Sequence, residues 1–199
     1  MQKPLKQLIN KTAIFRIVLI FIASYLVSLL FWILVKDQYC YTIAFVTSKV
    51  VAGLKGAKVE DVVFEEKMVT ATFSPWQGRT HFLVHVPIKT SYTFNAPLTI
   101  AIMACLYVFI RRRRRAYGEA FLILIGVHFL YVFSLEMKQI TEVFMKEGIE
   151  PLNKPEMYAY QFLWSFTRSM IIRFEPFLIG FYMYMRFAER PSEKSSIEK

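Results

Sequence analysis

The chain has 199 residues, 55% of them hydrophobic and 17% aromatic, and a formal net charge of +10. Soluble domains average about 45–50% apolar residues; the excess here lies in long uncharged runs, which points away from a soluble domain and towards an integral membrane protein. Five of the positive charges are consecutive arginines, residues 111–115, between two apolar segments; that placement argues against nucleic-acid binding, which wants a basic groove with exposed aromatics.

Residues 1–16 carry Lys3, Lys6, Lys11 and Arg16 and no acid, so they are expected to be a cytoplasmic N-terminus. Residues 17–35 are uncharged and, as a helix, cover roughly the 30 Å hydrocarbon core. The run is longer than the apolar part of a cleaved signal peptide and lacks a small-x-small site. It is expected to be an uncleaved anchor and the first transmembrane helix.

Residues 36–89 are expected to form an extracytoplasmic insert. Ile43, Val46, Val50 and Leu54 recur at helical spacing. They predict an amphipathic helix over 38–56, lying on the membrane or against the strands that follow, with Gly53 and Gly56 marking its end. Residues 62–64, 68–73 and 80–86 are β-prone, with turns at 65–67 and 74–78, and predict a small antiparallel sheet. So short a meander is marginal alone and must lean on something else. His81 and His85 share a face of its last strand, about 13 Å apart; that is too far for one metal ion, and both are read as solvent-facing.

Residues 90–110 are the expected second span, with Asn95 and Pro97 near its outer end. Residues 111–118 form an arginine-rich cytoplasmic turn. Residues 119–136 are the expected third span, with His128 near its middle and Glu136 closing it on the outside. Residues 137–156 are an outer loop, in which Met137, Ile140, Val143 and Phe144 predict an interfacial helix. Residues 157–185 are the expected fourth span, kinked near Pro176, which cannot donate to the carbonyl of Ile172. Residues 186–199 are a polar cytoplasmic tail, expected to be disordered. The fold class expected is therefore membrane all-α: four transmembrane helices with a small extracytoplasmic strand-rich insert after the first. The basic inner segments orient it as a multi-pass protein of a bacterial cytoplasmic (inner) membrane, both termini inside. Cys40 and Cys105 fall at different levels, so no disulfide is expected.

The last span contains Arg168, Arg173 and Glu175. A charge at bilayer depth costs about 2.5–3.5 kcal/mol on insertion scales, so these groups need partners. Arg168 and Glu175, seven residues apart, would share one helical face, while Arg173 would point elsewhere and snorkel. His128 and Glu175 reach similar depth and would touch if their helices are antiparallel neighbours. His128, Arg168, Arg173 and Glu175 are thus the expected polar core or partner-binding set. Three roles stand open for it: mutual satisfaction that fixes helix packing, docking of a partner's polar group, or catalysis and proton transfer. No Gly-rich phosphate loop, GxSxG, HExxH or metal-spaced carboxylate pair occurs. No catalytic residue, metal or cofactor is assigned.

One basic-flanked anchor precedes a strand-rich outer region. Residues 92–98 read Tyr-x-Phe-Asn-Ala-Pro-Leu, an arginine-rich turn follows, and residues 160–162, Tyr-Gln-Phe, lead into a final apolar segment with an internal Pro176. In this layout the chain resembles the small integral membrane proteins associated with exosortase H. The resemblance implies a non-enzymatic accessory role beside an exosortase, the inner-membrane transpeptidase-like enzyme that processes C-terminal sorting signals of exported proteins in Gram-negative bacteria. It carries over no catalytic residue. Its partners would be membrane lipid and another integral membrane protein, an exosortase. The competing readings are a structural subunit of an unrelated membrane complex, and a small intramembrane enzyme or transporter using His128 and Glu175.

Overall fold

A computed structural model describes residues 11–76, 83–107, 113–151 and 153–187. His81, the N-terminal segment 1–10, Arg111, Arg112 and the expected polar tail beyond Phe187 lie outside the described residues.

Helix α1 runs unbroken over Lys11–Lys55, about 68 Å at 1.5 Å per residue. The expected anchor and the expected amphipathic helix are one element. Lys36, Asp37 and Gln38 interrupt the apolar run, but none of them breaks a helix; charge ends an apolar face without ending the backbone hydrogen bonds. Gly56 ends α1 with φ +57, the left-handed position where glycine carries no Cβ penalty.

Strands β1 (Ala57–Glu65), β2 (Met68–Pro75) and β3 (Val84–Lys89) follow. They form one antiparallel sheet in the order β1-β2-β3. The β1–β2 hairpin turns on Glu66 and Lys67, with φ of 46° and 66°. Two left-handed residues in a row give the turn whose twist matches paired strands. In β3, Val84, Val86 and Ile88 face inward and His85, Pro87 and Lys89 outward, the alternation of a half-buried strand. Pro87 costs little because β3 is an edge. The inward face, with Val69, Ala71 and Phe73 of β2, packs on Cys40, Ala44 and Val51 of α1. This answers what a three-strand meander leans on: the upper half of the first helix.

A 3-10 turn, Thr90–Asn95, leads into α2 (Ala96–Leu106). Helix α3 is continuous over Arg113–Lys146, so the expected third span and interfacial helix are also one element. Val132, Ile140 and Phe144 of α3 complete the core beneath the sheet. Gly148 at φ +68 ends that helix, with the Ile149 N–H bonded back to the Phe144 carbonyl at 2.9 Å. Then α4 (Lys154–Phe166), a π-turn (Thr167–Ile171) and α5 (Ile172–Phe187) complete the chain.

Contacts set the directions. Tyr39 meets His128 and Ser48 meets Glu136, so α1 and α3 run parallel. Ser28 bonds the Pro97 carbonyl and Cys105 lies against the Ile17 carbonyl, so α2 runs back along α1. Glu175 meets His128 and Tyr182 bonds Glu119, so α5 runs antiparallel to α3. The α2–α5 approach is close: a Cβ on Gly180 would stand 2.7 Å from Ile102 Cγ2.

The four-span expectation is corrected by this structure. Among the described residues, two helices are long and apolar enough to cross a membrane, Ile14–Lys55 and Arg114–Lys146. The expected second span opens as a 3-10 turn, which leaves α2 with 11 residues, about 17 Å against a 30 Å core. The expected fourth span is divided by the π-turn into helices of 13 and 16 residues, with Arg168, Arg173 and Glu175 diluting its apolar character.

Candidate functional site

His128 and Glu175 face each other across α3 and α5, and both side chains are fully sealed from solvent. His128 Nε2 lies 3.2 Å from Glu175 Oε2, but off the line of a hydrogen bond, so neither carboxylate oxygen has a well-directed donor. On the other side of the ring, Nδ1 is 2.8 Å from the Tyr39 hydroxyl of α1. If the tyrosine donates, Nδ1 is the acceptor and Nε2 carries the proton towards Glu175. Tyr92 closes the pocket edge-on, 5.3 Å from the imidazole centroid. Three helices and the 3-10 turn thus meet at one buried Tyr–His–Glu chain.

Asn95 supports the same place. Pro176 lacks the N–H that would bond the Ile172 carbonyl, and the Asn95 side-chain amide donates to that carbonyl instead. The freed backbone acceptor, one helical turn before the proline, is satisfied from the last residue of the 3-10 turn that precedes α2. Glu175 is thereby held on a defined inward path.

The two arginines do not join this core. Arg168 and Arg173 are exposed and line a groove of about 600 Å³ together with Lys138, Ser91, Gln161 and Trp164. The cause is the π-turn. In an uninterrupted α-helix Arg173 would sit about 140° from Arg168 and Glu175 only about 20° from it. The Ile172 N–H instead bonds the Thr167 carbonyl, five residues back. One extra residue in a turn shifts everything after it by about 100°, which brings Arg173 to about 40° from Arg168 and swings Glu175 away. The expected pairing of faces is therefore reversed: Arg168 shares its side with Arg173, and Glu175 points inward.

An aromatic wall separates groove from core. Tyr92 stacks on Tyr131 at 4.6 Å, and Tyr131 lies 5.0 Å from Trp164. The Arg168 guanidinium lies 5.8 Å from the Trp164 ring centroid. Among the described residues neither Arg168 nor Arg173 makes an ion pair; Lys138 lies 3.7 Å from Glu142.

A second buried carboxylate, Glu136, was expected at the outer surface. It is fully buried, takes a 2.7 Å bond from Ser48, and leaves Oε2 without a partner. Its burial follows from the continuity of α3, which carries residue 136 into the core under the sheet. Tyr39, Tyr92 and Asn95 were not in the expected set. Asn95, an amide inside an apolar stretch, was the visible signal for one of them; a tyrosine 89 residues away from its histidine leaves none.

Of the remaining expectations, His85 is exposed and within 3.1 Å of Thr72. Cys40 and Cys105 are free thiols. Compared with protein-family models, with curated proteins and with solved structures, the chain matches none.

Proposed function

We propose that this chain is a non-enzymatic accessory subunit of a bacterial inner-membrane protein-sorting system of the exosortase type. It is embedded through α1 and α3 with α2 and α5 packed beside them. The observation that carries the reading is the continuity of α1. Its first half is apolar and faces outward: only 11% of its most apolar stretch is buried within the protein, and Leu19, Val27, Leu30 and Leu34 are more than half exposed. Soluble monomers do not expose so much contiguous apolar surface. Its second half is the floor of the sheet. One rigid helix therefore joins a lipid-facing segment to a compact outer module, as a scaffold does.

Orientation supports the same reading. Arg16 of α1 and Arg114 and Arg115 of α3 lie at the same end of two parallel helices, and a basic end is the cytoplasmic one. The sheet then faces the outside, where exported proteins are processed. The sealed His128–Glu175 pair favours a packing role over a reaction centre, since a substrate cannot touch either group without opening the bundle. The competing intramembrane enzyme or transporter reading would need that opening.

The test is co-production of the tagged chain with an exosortase, mild solubilisation and affinity capture, alongside substrate processing in a strain lacking the chain. Capture of the exosortase and impaired processing support the role. Absence of both sinks it. Activity in the purified chain alone that disappears in His128→Ala would move the assignment to the enzyme reading.

A further inference from the structure

The groove beside the π-turn has an asymmetric chemistry. On its floor and walls are three cations, Lys138, Arg168 and Arg173, with Ser91 and Gln161 as neutral donors and Trp164 as a flat side. The two arginines have no carboxylate to neutralise them among the described residues, and the π-turn places them on one side of their helix. Along α4, the π-turn and the start of α5 runs an exposed apolar stripe: Phe162, Phe166, Met170 and Phe174, each at least 44% exposed and spaced four residues apart.

A cationic groove alone would suit any anion. A cationic groove on a segment that also carries an exposed apolar stripe suits an anion that carries its own apolar tails. We propose that this groove binds the phosphodiester headgroup of an anionic phospholipid, with the acyl chains lying along Phe166, Met170 and Phe174. Arg168 and Arg173 would each present a planar fork of N–H donors to the non-bridging phosphate oxygens, which is the geometry guanidinium matches best. Ser91 and Gln161 would meet the glycerol hydroxyls of a phosphatidylglycerol headgroup. A zwitterionic choline headgroup would set its ammonium against Lys138 and be disfavoured. The π-turn is then explained by its consequence: without the extra residue, the two arginines diverge and Glu175 turns into the groove, where it would repel phosphate.

The assignment needs the chain to sit in a membrane; it does not need the accessory role. The full-length protein is reconstituted in nanodiscs of equal phosphatidylglycerol and phosphatidylcholine, extracted gently, and its retained lipid counted by native mass spectrometry. Retained phosphatidylglycerol should exceed phosphatidylcholine, and the preference should fall about fivefold for each arginine removed in Arg168→Gln and Arg173→Gln. Arg168→Lys/Arg173→Lys should keep a large part of it, and Lys49→Gln, on an exposed turn of α1, should change nothing. Excess inorganic phosphate should not displace the lipid. Equal retention of both lipids, or a preference untouched in Arg168→Gln/Arg173→Gln that melts like the parent, overturns the proposal. Displacement by inorganic phosphate overturns the lipid source and leaves a free-phosphate site.

Discussion

His128 stands between a phenol and a carboxylate: the Tyr39 hydroxyl bonds Nδ1, and Glu175 faces Nε2 at 3.2 Å off the line of a hydrogen bond. Removing one member strands the others in a dry core. His128→Leu should cost about 1–3 kcal/mol, because it leaves the Tyr39 hydroxyl and the buried Glu175 carboxyl facing an apolar side chain. His128→Leu/Glu175→Leu should cost less than the sum of the single changes, with a coupling of about 0.5–3 kcal/mol. Unfolding in mixed micelles measures both; strict additivity would mean the 3.2 Å approach carries no energy. Asn95 makes a different kind of contribution. Asn95→Ala leaves the Ile172 carbonyl unpaired, at about 1–3 kcal/mol, and hydrogen exchange should rise around residues 172–176 rather than throughout α5. At this scale little was legible in advance. His128 and Glu175 announced themselves as polar groups in apolar runs, but the face of each arginine did not. That depends on one inserted residue in a turn, which no spacing rule applied to a regular helix can register.

At the scale of elements, α1 and α4 are tied by one side chain. Lys55 Nζ lies 3.0 Å from Glu150 and 2.7 Å from Glu156, and the lysine side chain is only 5% exposed. Lys55→Ala should destabilise by about 1–3 kcal/mol, below the range for a fully buried pair because the glutamates retain some solvent. Limited proteolysis should then cut first near residues 147–153. On the sheet, the Ser74 hydroxyl, 2.6 Å away, and Lys58, 3.1 Å away, hold the Glu60 carboxyl below its usual range. A depressed carboxylate pKa adds stability above the unfolded value, about 4.3, and loses it as pH falls through the folded value. Glu60→Gln should therefore lower the melting temperature slightly at neutral pH, flatten its decline below about pH 5, and match the parent in strong acid. The group is exposed, so the effect is small, and an unaltered acid limb would remove its role. The strands and their order were readable from alternation and turn residues. The continuity of α1 and α3 was not, because a change from apolar to amphipathic pattern looks like a boundary while the helix carries on.

For the whole molecule, the arrangement is a helical body with a sheet seated on one end of two parallel helices. If α1 and α3 cross the membrane with their basic ends inside, carbonate washing should leave the chain in the membrane fraction. In a Cys105→Ser background, Lys89→Cys on the exposed face of β3 should react with a membrane-impermeant maleimide from outside in intact cells with a permeabilised outer membrane. Labelling only after lysis would invert the orientation, and release by carbonate would end the membrane reading.

Composition and apolar runs by themselves determined that long helices are present, that a small antiparallel sheet follows the first of them, and that His128 and Glu175 were worth pairing. These are local properties: hydropathy, alternation and helical phase act over a few residues. Tertiary structure decided the rest. Among the described residues it left two helices able to cross a membrane, buried Glu136, recruited Tyr39 and Asn95 to the core, and parted the arginines from the glutamate. Each of those outcomes depends on which distant surface a residue meets, or on one residue's slip in helical phase. Both are set when the helices pack and every buried polar group must find a partner.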